Sequence, residues 1–172
     1  MTTILTPELI ARAEAAGLKL EVINGLPVWE TFPAVRHQKS IFRIQQSITK
    51  ISRSIQPQAD DTPCDCFHYS DIYVKFPDGS LRRPDIAIFC TDQLEQDEAV
   101  TIVPEAVVEI VSAGYEAKDL ELGPMFYLAQ GVKDVIVFEP RTEVVIHSRR
   151  TGMSRSASPT TITLECGCSV TI

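Results

Sequence analysis

Two acidic residues of this 172-residue chain stand where acids are costly. Asp85 opens the apolar segment Arg83-Pro84-Asp85-Ile86-Ala87-Ile88-Phe89, and Glu109 lies at the centre of the β-branched run Ala106-Val107-Val108-Glu109-Ile110-Val111. A carboxylate that leaves water without compensation is strongly disfavoured, so a core-facing Glu must be paired, protonated or bound to a cation. Two strands that each carry one such acid point to a divalent-metal site between them. The competing reading is structural. Glu109 could form an ion pair with Arg82, Arg83 or Lys118, and Asp85 could satisfy backbone donors at the start of its strand.

The elements that would position these acids are legible from periodicity and turn chemistry. Thr6-Pro7-Glu8 reads as an N-cap with proline in the first turn, opening a short helix that Gly17 ends. Leu20-Glu21-Val22-Ile23 and Leu26-Pro27-Val28-Trp29 flank Asn24-Gly25 and form a hairpin, with Pro27 marking the second arm as an edge strand. Ile41, Ile44, Ile48, Ile51 and Ile55 recur at helical spacing and predict a helix from Arg36 to Ile55. Arg36, Lys39, Arg43, Lys50 and Arg53 fall on its opposite side, a stripe that either meets phosphate or is simply solvated. His37, at the helix start, either leans toward the acids or occupies the surface.

Pro77-Asp78-Gly79-Ser80 predicts a turn between a run from Phe67 to Phe76 and the return through Leu81-Arg82-Arg83. The Asp85 and Glu109 strands follow. A helix should start at Gly123-Pro124 and end at Gly131, before the strand Val135–Phe138. Two last strands are expected at 143–147 and 161–164, joined across an exposed turn at 149–152.

Composition narrows the function classes. The length suits one domain, taken as residues 1–172, and the net charge of −7 disfavours long-range attraction to nucleic acid, so any such affinity must come from a local patch. The N-terminus lacks a basic segment followed by an apolar stretch, and no apolar run approaches the roughly 18 residues needed to cross a bilayer. The expectation is a soluble, cytoplasmic protein with no membrane partner. Five cysteines without a secretion signal argue for reduced thiols. Cys64-x-Cys66 and Cys166-x-Cys168 could together offer four thiolates to zinc, although C-x-C is tighter than the usual C-x-x-C and alternation along a strand gives the same spacing.

The order of elements resembles the PD-(D/E)XK core. More specifically, Arg83-Pro84-Asp85-Ile86-Ala87, the segment from Pro104 to Ser112, Lys118-Asp119-Leu120, Tyr127 and the segment from Gly131 to Pro140 resemble the Uma family of inferred endonucleases within the restriction-endonuclease-like superfamily. The likeness reaches back to Asn24-Gly25 and His37. It implies an α+β fold with a restriction-endonuclease-like core, a central mixed β-sheet flanked by helices. It also implies a Mg²⁺-dependent nuclease, with Mn²⁺ as an alternative ion, acting on DNA. Asp85 and Glu109 would be the metal ligands, and the backbone carbonyl of Ile110 would add a third. Mg²⁺ takes oxygen ligands and keeps several waters, and it would lower the pKa of a bound water and stabilise charge on the phosphate. Similar proteins dimerise, and edge strands at Pro27 and Ser169–Ile172 would leave surfaces for a homodimer to cover.

The chain departs from the family pattern at one place. The superfamily lysine two residues beyond the Glu is Val111 here, and the alternative position four residues after Asp119 is Gly123. Lys118 is the nearest remaining cation on this reading, with Arg82 or Arg83 as electrostatic substitutes. Two functions therefore stand: a hydrolase using Asp85, Glu109 and Lys118, or a non-catalytic module on the same fold that binds nucleic acid or a protein through Arg36, Lys39, Arg43 and Lys50.

Overall fold

A computed structural model describes residues 7–31, 34–51, 64–112 and 122–172. The first helix, α1 (Pro7–Ala15), ends where Gly17 takes a positive φ of 77°. Strands β1 (Leu18–Ile23) and β2 (Leu26–Thr31) follow as the expected hairpin, with both Asn24 and Gly25 at positive φ. The remaining elements are α2 (Val35–Ser47), β3 (Thr49–Lys50), β4 (Phe67–Ser70), β5 (Val74–Lys75), β6 (Leu81–Arg82), β7 (Ile86–Phe89) and β8 (Ala106–Ile110). Then come α3 (Gly123–Ala129), β9 (Asp134–Glu139), β10 (Val144–Arg149), β11 (Gly152–Ala157), β12 (Thr161–Thr163) and β13 (Cys168–Thr171).

The central sheet has the order β11-β10-β9-β8-β7-β4. It is mixed: β8 and β9 run parallel, whereas the other neighbours are antiparallel. A four-stranded sheet, β2-β1-β6-β5, and a three-stranded one, β12-β13-β3, complete the framework. Pro27 does lie on an edge strand, since β2 is outermost in its sheet.

Alternation along the central strands separates two apolar layers. Ile86, Ile88, Ala106, Val108, Ile110, Ile136 and Phe138 pack with Ile41, Ile44 and Ile48 of the α2 segment. Ala87, Phe89, Val107 and Val135 pack on the other face with Phe126 and Tyr127 of α3. By the same alternation Glu109 belongs to the α3 face, with Val107.

Three expectations are corrected. The α2 helix stops at Ser47 rather than Ile55, although the isoleucine spacing continues. Ser47 Oγ donates to the carbonyls of Ile44 and Thr171 and accepts from the Thr171 N–H, so the helix end is docked on β13, and Thr49–Lys50 join that strand's ladder. Tertiary pairing thus overrides the local pattern, and Ile55 lies outside the described residues. The turn at 149–152 connects β10 to β11, a fully exposed, serine-rich edge strand, and not to the strand at 161–163. Finally, the cysteines are not all reduced: Cys64 is joined to Cys90 and Cys66 to Cys168, leaving Cys166 as the free thiol.

Candidate active site

Strands β7 and β8 pair antiparallel with Ile86 opposite Val108 and Ala87 opposite Val107. Extending that register by one residue sets Asp85 across from Glu109. Like charges directly opposite each other repel, and both side chains are buried, at 6% and 5% exposure. The arrangement persists because cations and donors surround it. The Asp85 N–H donates to Glu109 Oε2 at 3.2 Å, and the Ile110 N–H donates to Asp85 Oδ2 at 2.7 Å. The two acids foreseen from sequence are therefore neighbours in one buried polar cluster.

Strand β1 supplies the ammonium. Lys19 and Glu21 are two residues apart, hence on one face of β1, while Leu20 and Val22 on the other face are part of the buried apolar set. Lys19 Nζ lies 3.6 Å from Asp85 Oδ1 and 3.6 Å from Asp71 Oδ1, with the residue only 7% exposed. Burial would lower the Lys19 pKa, but Asp85, Glu21, Glu109 and Asp71 together outweigh it and hold the ammonium charged. Asp85 behaves reciprocally: burial pushes its carboxyl up, while Lys19, the His37 hydrogen bond and the Ile110 N–H bring it below the ordinary carboxylate range.

Arg82 is the second buried cation, at 1% exposure. Its Nε lies 3.2 Å from Glu21 Oε1 and its Nη2 3.6 Å from Glu109 Oε1. Its guanidinium sits 4.7 Å from the Tyr127 ring centre and 5.2 Å from that of Phe126, so aromatic faces replace part of its lost hydration. Tyr127 Oη donates to Glu109 Oε1 at 2.5 Å. Burial drives the Tyr127 hydroxyl pKa well up despite nearby Arg82, which keeps it a donor.

His37 reaches the cluster from the first turn of α2, with Nε2 3.1 Å from Asp85 Oδ2. Burial lowers its pKa, yet the bond to Asp85 prevails and the net shift is upward. Its Nδ1 is buried without a hydrogen-bond partner among the described residues. Across this inner cluster Lys19 and Arg82 face three carboxylates, Glu21, Asp85 and Glu109. The carboxylate oxygens that the two acids themselves offer are the kind of ligand Mg²⁺ and Mn²⁺ accept.

The other residues singled out from sequence separate into groups. Arg36, Lys39 and Arg43 line one open groove of about 500 Å³ beside Phe138, Pro140 and Glu143. Arg43 stacks 5.8 Å above the Phe138 ring, and none of the three forms an ion pair with a described residue. Lys50 leaves that stripe: it is in β3, with Nζ bonded to Asp65 at 2.7 Å. Lys118 lies outside the described residues. The ion-pair reading of Glu109 is realised in part through Arg82, while Arg83 instead bonds Glu14 and Asp71.

Sequence reasoning missed Lys19 and gave no site role to Glu21. The available signal was an opposite-charge pair at two-residue spacing on a strand whose alternate residues are apolar. Ordinarily that pattern means a solvated face.

Comparison with known proteins places the chain in a family. The family described as "Uma2: Putative restriction endonuclease" matches residues 7–165. A solved structure titled as a putative nuclease belonging to DUF820, from Anabaena variabilis, is similar with a TM-score of 0.62 at 16% identity, covering 83% of this chain and 79% of that one. At that identity the likeness concerns the fold. No curated protein matches the chain. The restriction-endonuclease-like core, the mixed sheet and a family match over most of the sequence converge: the chain belongs to the Uma2 family.

Proposed function

We propose that the protein is a metal-dependent endonuclease that hydrolyses DNA phosphodiester bonds, with Asp85, Glu109 and the Ile110 carbonyl holding Mg²⁺ or Mn²⁺. The observation that carries this reading is the pair of buried carboxylates opposed across β7 and β8, with the Lys19 ammonium 3.6 Å from one of them. A bound divalent ion would polarise phosphate and lower the pKa of an attacking water.

The chain's own groups do the rest. Lys19 would serve the role that Val111 and Gly123 leave without a lysine: a buried ammonium that its acidic neighbours favour in the charged form, able to orient water and offset charge developing on phosphate. Tyr127 and Arg82 fix the Glu109 carboxylate through Oε1, and the Asp85 N–H engages Oε2. His37 holds Asp85 Oδ2 from α2. One residue before it, Arg36 begins the groove that Lys39 and Arg43 extend, a local positive patch on an acidic protein suited to tracking a phosphate backbone.

Purified protein incubated with DNA and Mg²⁺ or Mn²⁺ should cleave it. Glu109→Gln should reduce the rate by about a hundredfold or more while leaving DNA affinity nearly intact. Equal residual cleavage by wild type and Glu109→Gln would refute the assignment. The Arg82 contact on Glu109 favours a second reading, a non-catalytic nuclease-fold module that binds DNA through the α2 groove. That reading gains if DNA binds in a salt-sensitive manner, depends on Arg43, and is never cut.

A further inference from the structure

The five cysteines come from three separate stretches of sequence, 64–66, 90 and 166–168, yet form one sulfur cluster beneath α2. The ligand atoms of Cys64, Cys166 and Cys168 all lie within 4.8 Å of one another, and Cys64 Sγ is 3.5 Å from Cys168 Sγ. Cys66 and Cys90 are each joined to a member of that trio. In a tetrahedral zinc thiolate the Zn–S distance of about 2.3 Å sets neighbouring sulfurs about 3.8 Å apart, which is the scale of this cluster.

The surrounding backbone presents the sulfurs on two tight turns. Gly167 N–H donates to the Leu164 carbonyl and Leu164 N–H to the Cys168 carbonyl, folding Leu164–Cys168 back on itself. Buried Asp134 accepts the Glu165 N–H at 2.8 Å and so pins this turn to β9. On the other side, Asp65 N–H donates to the Cys90 carbonyl, and Cys66 has a positive φ of 59°. Lys50 pairs with Cys168 across the β3–β13 ladder while its ammonium bonds Asp65, between Cys64 and Cys66. One residue thus ties the two C-x-C segments together.

We propose that, once reduced, this cluster binds one Zn²⁺ through Cys64, Cys166, Cys168 and a fourth sulfur from Cys66 or Cys90. The site is separate from the carboxylate centre and does not depend on the nuclease reading. A dithiol gives two electrons and two protons to each disulfide, breaking its S–S bond to two thiols and itself becoming a cyclic disulfide. Four Zn–S bonds then form as four thiol protons pass to solvent. Soft thiolates select zinc over Mg²⁺, so the two centres would take different ions from one medium.

The test uses the full chain, reduced with a phosphine under nitrogen, freed of reductant and titrated with Co²⁺ alone. One equivalent should give sulfur-to-cobalt charge-transfer absorption and tetrahedral ligand-field bands, displaced by one equivalent of Zn²⁺. Cys166→Ser changes the half-buried thiol that belongs to neither disulfide, and should weaken Co²⁺ binding by about a hundredfold while circular dichroism stays native. Glu109→Gln should leave the titration unchanged. Absence of charge-transfer bands in the folded, reduced protein would overturn the proposal, as would identical titration of wild type and Cys166→Ser.

Discussion

Replacing Lys19 with Met removes the ammonium from the acidic pair while keeping a flexible side chain of similar reach. At an effective dielectric of about 20, unit charges 3.6 Å apart attract by roughly 4–5 kcal/mol. Desolvation of the ammonium opposes that gain, and the Asp71 contact is discounted because its side chain is 35% exposed. Breaking one side of a buried pair costs about 3–5 kcal/mol, and His37 and the Ile110 N–H remain on Asp85, so the lower end, about 3 kcal/mol, is expected. For a chain of this size that corresponds to a Tm lower by roughly 6–12 °C in chelator. A divalent ion at Asp85 and Glu109 would supply the missing positive charge, so excess Mg²⁺ should raise the variant's Tm more than the wild type's and narrow the gap. Differential scanning fluorimetry with and without Mg²⁺ reads both effects. An unchanged Tm in chelator, or a gap of the same size in Mg²⁺, would refute the reasoning.

Other variants probe the surroundings. Tyr127→Phe deletes the 2.5 Å hydrogen bond to Glu109 and should cost about 1.5–3 kcal/mol in urea unfolding, since the carboxylate it serves is buried. Arg43→Glu should weaken DNA binding and reduce the steepness of its salt dependence by about one, measured by fluorescence anisotropy over a salt series. Asp134 accepts from His147, Arg149 and the Glu165 N–H, and although burial raises its pKa these partners bring it below the ordinary value. A depressed carboxyl pKa stabilises above the unfolded value and is lost as pH falls through the folded one, so Asp134→Ala should cost about 2–4 kcal/mol at neutral pH, a gap that shrinks below about pH 4.

The acids were legible because charge inside a β-branched run has few innocent explanations, and the Asn24-Gly25 turn because its backbone demands positive φ. Lys19 was not, because Leu18-Lys19-Leu20-Glu21 has the alternation of a half-exposed hairpin arm; tertiary packing that sets Asp85 against Lys19 and Arg82 against Glu21 buries its polar face. Helix α2 was legible through Ile41 and Ile44, but periodicity could not register that Ser47 would bond to a strand more than a hundred residues away. The exposed strand β11 carries no apolar alternation and is held in a ladder with β10, so no local signal announced it. The proximity of the two C-x-C segments likewise depends on sheet order, which spacing does not encode.

Electron paramagnetic resonance of Mn²⁺ titrated into wild type, Asp85→Asn and Glu109→Gln tests the carboxylate centre most directly. Loss of the free-ion signal on addition of wild type, at one ion per chain, and its persistence with either variant is the predicted result. Equal Mn²⁺ uptake by all three proteins, or none by wild type, would contradict a metal held between these two strands.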